Sequence, residues 1–262
     1  TEAYNKAAHG NGFNEEFVID KETLAMIEKY SDLTDNLHTD LHECLGHGSG
    51  QLLPGTDPDA LKAYGNTIEE ARADLFGLYY MADEKLVELG LLPNTDAYKA
   101  QYYSYLMNGL LTQTIRIREG DKIEEAHMRN RALIAWWTLK HARGAVSLIH
   151  RGGKTYVQIT DYTFIRNAFG TLLAEIQRIK SEGDFNAARC LVEEYAVNID
   201  PVLHHEIRQR YQLLNLAPYK GFINPKMTLL HDEQGLPADV LLDYTESYTD
   251  QMLRYSDEYG TL

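Results

Sequence analysis

Two histidines and a glutamate stand close together in the segment His42–His47, which reads HECLGH. A His-Glu pair followed by a second His is the pattern of a zinc-protease helix, in which both imidazoles bind the metal and the Glu is the general base. In that pattern the second His follows the first by four residues, whereas His47 follows His42 by five. The segment therefore predicts hydrolytic zinc chemistry with an altered helix geometry.

The five-residue spacing is not compatible with a regular helix. A four-residue step returns to within roughly 40° of the starting direction, but a five-residue step is displaced by roughly 140°. Gly46 stands just before His47 and tolerates backbone angles that other residues resist. We predict a local widening of this turn, of the kind seen as a π-bulge at functional sites.

Glu43 cannot point in the same direction as the two histidines, so we expect its carboxylate beside the metal and not bound to it. Zinc lowers the pKa of its bound water to near neutrality. Glu43 would take the proton from that water and pass it to the departing amine. His38, four residues before His42, offers an alternative ligand pair, but that pair leaves His47 unexplained. Cys44 projects to another side of the helix, and we expect it to pack in the core.

A second acidic segment, Glu69–Asp74, reads EEARAD and follows Asn66, a residue type that can cap a helix. A catalytic zinc needs three protein ligands and keeps a fourth position open. Glu70 and Asp74 lie one turn apart on a shared helix face. Glu70 is the predicted third ligand, and Asp74 is predicted to hold the free ring N–H of a zinc histidine. Glu69 would either cap the helix or support the other histidine.

These segments resemble the motifs of the dipeptidyl peptidase III family of two-lobed zinc exopeptidases. His42–His47 matches the family's His-Glu-x-x-Gly-His signature. Glu69–Asp74 matches its Glu-Glu-Cys-x-Ala-Glu/Asp motif, with Ala71 in place of the Cys, which removes a thiol and no ligand. The resemblance implies the same ligand set, namely His42, His47 and Glu70, on one zinc ion per chain.

A third family motif, His-Met-x-x-Arg, is matched by residues 127–131. The resemblance implies that His127 stabilises the transition state and that Arg131 lies in the substrate cleft. It also makes Lys220 a candidate for binding the carboxyl end of the substrate. The family's N-terminal lobe, which holds the peptide's free amino end and supplies a catalytic Tyr, has no counterpart in this sequence. The expected partners are therefore short peptides and a missing lobe of the same protein.

The remaining sequence predicts a mainly α-helical fold, with one domain over residues 1–262 and an irregular lead-in over residues 1–19. The active site is expected between the two helices that carry HExxGH and EExxxD. We predict one β-hairpin, Val146–Ile149 with Lys154–Ile159, around Gly152 and Gly153. Pro237 is predicted to open a final helix.

Asp20 is predicted to cap a short helix that runs through Tyr30, and Thr34 or Asp35 is predicted to start the histidine helix.

The helix that carries Glu70 is predicted to continue to about Leu89, with Gly90 ending it. His204, His205 and Glu206 could bind a metal but lack a converging third group, so we expect them on a solvated face.

Composition excludes several classes of partner. A formal net charge of −14 argues against nucleic acid and anionic membranes, and no apolar run approaches the roughly 20 residues of a spanning helix. The chain has only two cysteines, which suits a reducing compartment and predicts a cytoplasmic protein. We note no targeting signal within the sequence.

The sequence thus predicts a zinc-dependent exopeptidase that releases dipeptides from the N-terminus of short peptides, using zinc-activated water with Glu43 as general base. The alternatives are a zinc endopeptidase or aminopeptidase that is not a dipeptidyl peptidase, and a helical binding domain with a structural zinc. In the last case a fourth protein ligand would close the metal site. The isolated lobe is expected to be weakly active or inactive.

Overall fold

The computed structural model describes residues 11–216 and 224–260. Most of these residues lie in helices, and two small antiparallel sheets complete the fold. The α-helices are α1 (Phe13–Phe17), α2 (Lys21–Leu41), α3 (Gly65–Met81), α4 (Glu84–Glu88), α5 (Tyr98–Leu110), α6 (Ala126–His141), α7 (Tyr162–Glu182), α8 (Phe185–Tyr195), α9 (Pro201–Leu214) and α10 (Tyr248–Tyr259). The strands are β1 (Val146–Arg151), β2 (Lys154–Ile159), β3 (Lys226–His231) and β4 (Pro237–Asp243). His42–His47 is a π-helix, and Lys62–Tyr64 and Thr112–Arg116 are short 3₁₀ helices. The mainly helical fold class is confirmed.

The helix α3 is central to the unit formed by residues 11–216. It packs against α2, α6, α7 and the π-helix, and most of its side chains are buried. A helix surrounded by other helices is apolar on most of its sides rather than along one stripe. The acidic motif Glu69–Asp74 therefore lies on a helix that is mostly buried and that contacts the histidine segment.

The helix α2 begins where the sequence predicts, because Asp20 Oδ1 accepts a hydrogen bond from the backbone N–H of Thr23 at 2.8 Å. The predicted break between Tyr30 and Thr34 is wrong, since α2 continues without interruption to Leu41. The segment contains no Gly or Pro that would end a helix there.

The helix α3 differs from its predicted bounds at both ends. It begins at Gly65 without a side-chain cap, so Asn66 is not the capping residue. It ends at Met81, and the short α4 follows, with Asp83 as its N-cap. Gly90, at a φ of 73°, follows α4 in a left-handed conformation. The prediction had merged two helices into one.

The predicted hairpin of β1 and β2 is confirmed, with Val146 opposite Ile159 and Arg151 opposite Lys154. The helix predicted from Pro237 is wrong, because β4 pairs with β3 to form a second hairpin. Gly235, at a φ of 78°, lies in the turn between these strands, and a turn of this kind favours strand pairing over a helix start. Residues 224–260, which contain this hairpin and α10, belong to a separate compact unit.

The prediction of an irregular lead-in is also wrong for residues 13–17, which form α1. Asn11 Oδ1 accepts a hydrogen bond from the backbone N–H of Phe13 at 3.0 Å, and Phe17 is fully buried. Residues 1–10 lie outside the described residues. Over the described ranges, no helix combines the length and apolar character that a membrane crossing requires.

Candidate metal centre

The predicted widening of the histidine helix is confirmed, because His42–His47 adopts π-helical geometry directly after α2. The structural requirement for glycine at position 46 differs from the predicted one. Gly46 does not have a positive φ; instead, a Cβ atom at Gly46 would lie 2.6 Å from the Ala73 Cα. A residue without a side chain is therefore needed so that the π-helix can contact α3.

The π-helix turns the two imidazole rings toward each other, and their Nε2 atoms lie 3.0 Å apart. His42 Nδ1 is 2.7 Å from Asp74 Oδ1, and His47 Nδ1 is 2.8 Å from Glu69 Oε1. An ionised carboxylate can only accept hydrogen bonds, so each Nδ1 is assigned as the protonated, donating nitrogen. Both Nε2 lone pairs then face one another, an arrangement that a shared cation stabilises.

Glu70 supplies the third atom of the cluster. Its Oε2 lies 3.4 Å from His42 Nε2 and 3.8 Å from His47 Nε2. This oxygen is buried and has no hydrogen-bond partner among the described residues. Two nitrogens and one oxygen around a tetrahedral Zn²⁺ are separated by about 3.3 Å. The three residues therefore fit a zinc ion, and the orphaned Glu70 oxygen indicates that something is to be bound there.

Asp74 holds the His42 ring from the protein interior. Its second oxygen accepts a hydrogen bond from the Tyr105 hydroxyl at 2.7 Å. Burial would raise the pKa of Asp74, yet the hydrogen bond from His42, the nearby His38 and the Tyr105 hydroxyl lower it to about 2. Asp74 therefore stays ionised and keeps His42 Nδ1 in the donating form.

Glu69 holds the His47 ring in the same way, which distinguishes between the two roles the sequence left open. It also accepts hydrogen bonds from Arg72 and from Lys180 of α7. Burial would raise the pKa of Glu69, but the hydrogen bonds from Arg72, Lys180 and His47 lower it to about 2. Both histidines of the cluster thus face an ionised carboxylate on the side away from the cluster.

The predicted catalytic residues lie around this cluster. His127, at the start of α6, places Nε2 3.5 Å from Glu70 Oε2, and its Nδ1 is 2.7 Å from Glu125 Oε1, which orients the ring. Glu43 is exposed. Burial would lower the pKa of His42, but the hydrogen bond to Asp74 and the charges of Asp74, Glu70 and, to the smallest extent, Glu43 raise it. Arg131 is half-buried on α6. Its guanidinium makes no ion pair within the described ranges. Lys220 lies outside the described residues.

The competing histidine arrangements do not form metal clusters in the described part of the chain, where His42, His47 and Glu70 make up one group. His38 Nε2 is instead 3.2 Å from the backbone oxygen of Asp74. His204, expected on a solvated face, is buried against the Thr114 carbonyl oxygen at 2.9 Å.

Cys44 is exposed, so the prediction that it packs in the core is wrong. The wider π-turn explains the difference, because it rotates side chains away from the directions of a regular helix.

Sequence reasoning missed three residues of the site, namely Arg72, Tyr105 and Lys180. Arg72 carried a local signal, since it stands three residues after Glu69 on the same helix face. Tyr105 and Lys180 carried none, because they lie on α5 and α7 and reach the site only through folding.

Comparison with known proteins supports the interpretation of the motifs. The sequence profile of Peptidase family M49 matches residues 58–250, a range that includes Glu70 and His127 and begins after His47. Dipeptidyl peptidase 3 of Mus musculus is 25% identical in an alignment 250 residues long, which covers 76% of this chain and 34% of the mouse protein. Nudix hydrolase 3 of Arabidopsis thaliana is 31% identical over 194 residues, which cover 71% of this chain and 23% of that protein.

Among solved structures, the DPP III of Caldithrix abyssi superposes with a TM-score of 0.62 at 27% identity, covering 80% of this chain and 37% of that one. The chain thus spans 34% of the length of the mouse relative. The family profile covers well over half of the chain and agrees with the resemblance found in its motifs. The chain therefore belongs to Peptidase family M49.

Proposed function

We propose that this chain carries the catalytic metal centre of a zinc-dependent dipeptidyl peptidase. His42, His47 and Glu70 would hold one Zn²⁺. The observation that carries the proposal is the cluster itself: one atom from each residue lies within 4.8 Å of the others, and the Glu70 oxygen is buried without a partner. The dipeptidyl specificity is supported by the family and by relatives that are named for it.

Zn²⁺ held by His42, His47 and Glu70 would supply a Lewis acid and would lower the pKa of a water molecule. Glu43, next to His42 and exposed to solvent, acts as the general base and returns the proton to the leaving amine. His127, oriented by Glu125, stabilises the developing oxyanion. Arg131, with no ion pair in the described ranges, is available for a substrate carbonyl or carboxylate. Lys220 stays a candidate on the resemblance alone.

The test compares the wild-type chain with Glu70→Ala by measuring zinc content after exhaustive dialysis. We expect one zinc per wild-type chain and a loss of binding on the order of 10²-fold or more in the variant. A matched control is Glu22→Ala, which changes an exposed carboxylate at the start of α2. Equal zinc content in the wild type and Glu70→Ala would refute the proposed ligand set.

Mass spectrometry of the products from a short peptide then identifies the reaction in the complete protein. Dipeptides released successively from the N-terminus support the proposal. Single amino acids or internal cleavage would instead indicate an aminopeptidase or an endopeptidase. A zinc ion that exchanges no water and supports no hydrolysis would indicate a structural site.

A further inference from the structure

Arg72 is a fully buried guanidinium beside the metal centre. Its Nε is 3.0 Å from Glu69 Oε2, and its Nη2 is 2.8 Å from Glu69 Oε1. This is a two-pronged contact, in which the planar guanidinium fixes the carboxylate plane as well as its position. Glu69 Oε1 also accepts a hydrogen bond from His47 Nδ1. Arg72, together with Lys180 on Glu69 Oε2, therefore helps to fix the acceptor of the His47 ring.

The same guanidinium also contacts the backbone that carries His47. Arg72 Nη2 donates to the Gly46 carbonyl oxygen at 2.8 Å, and that carbonyl belongs to the peptide bond joining Gly46 to His47. The carbonyl lies at the end of the π-helix and also accepts hydrogen bonds from the Ser49 backbone N–H at 3.1 Å and from the Ser49 hydroxyl at 3.2 Å. Because Arg72 also contacts Glu69, one side chain contributes both to the backbone position and to the ring orientation of His47.

His47 needs this support more than His42 does. The side chain of His42 is 12% exposed, whereas that of His47 is 31% exposed. On its inner side the His42 ring contacts Asp74 through Nδ1, and the His38 ring lies beside it with ring centroids 6.5 Å apart. His47 lies at the open edge, so its position depends on directed hydrogen bonds to a greater extent than on packing.

We propose that Arg72 is the positioning residue for His47, acting through Glu69 on the ring and through the Gly46 carbonyl on the backbone. Arg72 is not one of the three residues of the cluster. The inference rests on the proposed function only in taking Zn²⁺ as the ion to be bound.

The first test needs no metal. Hydrogen exchange is measured by mass spectrometry on the metal-free 262-residue chain in the wild type, Arg72→Met and Arg72→Lys. We expect exchange over residues 42–50 to become about tenfold faster in Arg72→Met. Arg72→Lys should give a smaller increase, because an ammonium keeps the charge beside Glu69 without the planar fork. This conservative variant is read alone if Arg72→Met does not fold.

The matched control is Arg210→Met. Arg210 is also buried and contacts two carboxylates, Glu16 and Glu206, but none of the metal-centre residues. We expect this variant to be less stable while exchange over residues 42–50 stays at the wild-type rate. If exchange over residues 42–50 also became faster in Arg210→Met, the effect of Arg72→Met would reflect a general loss of stability. That result would overturn the inference.

The second test measures zinc affinity by competition with a chromophoric chelator. We expect Arg72→Met to bind zinc about 10- to 100-fold more weakly, while Arg210→Met stays within about twofold of the wild type. Wild-type exchange rates and wild-type zinc affinity in both Arg72 variants would overturn the inference. If the wild-type chain bound no zinc, the proposed function would fail, and the exchange comparison would still decide the role of Arg72.

Discussion

At the scale of single residues, the candidate metal centre consists of side-chain atoms that other protein groups leave available for a ligand. Each histidine uses Nδ1 on a carboxylate and leaves Nε2 for the cluster. Glu70 Oε2 has no hydrogen-bond partner in the described chain. The carboxylates behind the histidines are held ionised, with the pKa of Glu69 and of Asp74 both lowered to about 2. In the proposed function, metal binding and catalysis belong to separate carboxylates, namely Glu70 for the metal and Glu43 for proton transfer.

The separation of roles predicts the behaviour of Glu43→Ala. We expect the complete protein to retain its zinc, because Glu43 is not in the ligand cluster. Turnover should fall by about 10²- to 10⁴-fold, the usual contribution of a general base. Zinc content and peptide hydrolysis are measured on the same sample, with Glu22→Ala as the control. Loss of zinc in Glu43→Ala, or turnover close to wild type, would contradict this assignment.

At the scale of elements, the centre depends on how closely the histidine helix contacts α3. At two positions where these segments approach each other closely, the residue is a glycine. A Cβ at Gly46 would lie 2.6 Å from Ala73 Cα, and a Cβ at Gly77 would lie 2.5 Å from His38 Cδ2. The histidines and the acidic motif can meet only because these positions lack side chains.

Gly46→Ala should therefore disturb both stability and metal binding. The added methyl overlaps the α3 backbone, and overpacking of this kind lowers the free energy of unfolding by about 1–3 kcal/mol. Thermal unfolding and zinc competition measure the two effects. The control is Gly65→Ala, whose nearest neighbour would be Leu61 Cβ at 3.8 Å. An equal effect of the two substitutions would show that the contact with Ala73 is unimportant.

A second element contact, away from the centre, joins α1, β2 and α9 through Arg210. Its guanidinium donates to Glu16 Oε1 at 2.7 Å and to the Thr155 carbonyl oxygen at 2.6 Å. Burial would raise the pKa of Glu16, but the hydrogen bonds from Lys154 and Arg210 lower it below its ordinary value of 4.5. A carboxylate of this kind stabilises the fold only while it is ionised.

We expect Arg210→Met to lower the free energy of unfolding by about 3 kcal/mol at pH 7, because it removes the buried guanidinium that joins Glu16 and Glu206 and leaves these carboxylates only Lys154 and Thr155 of the described residues as partners. The Glu16 contribution is complete above pH 4.5 and is lost as the pH falls through the lower folded-state pKa. The difference between wild type and variant should therefore shrink in strongly acidic buffer. Denaturant unfolding at neutral and acidic pH measures this difference, and one that stays constant with pH would be evidence against the ion pair.

At the scale of the whole molecule, the chain spans only part of the length of its relatives, 34% in the mouse protein. We expect the 262-residue chain alone to bind zinc but to hydrolyse peptides weakly or not at all. The physical reason is that positioning a peptide for attack uses contacts distributed over a complete cleft. We expect the rate to fall on the order of 10²-fold or more without them. Release of dipeptides from a fluorogenic substrate, compared with that by the complete protein, measures the deficit. Equal rates would contradict the expectation.

The sequence alone determined the family of this protein and predicted the proposed zinc chemistry, because the residue types and local spacings of its motifs are themselves the chemical signal. The order His-Glu-x-x-Gly-His predicted the π-helical turn, and the placement of Glu70 and Asp74 on one helix face required only helix periodicity. The hairpin of β3 and β4 and the separation of α3 from α4 were not predictable in this way, because they depend on turn geometry and packing. The tertiary structure alone brought Tyr105 to Asp74 and Lys180 to Glu69. The tertiary structure also explains why position 46 is a glycine, because the π-helix and α3 approach each other closely there. Such a contact between segments that are distant in sequence cannot be predicted from local spacing.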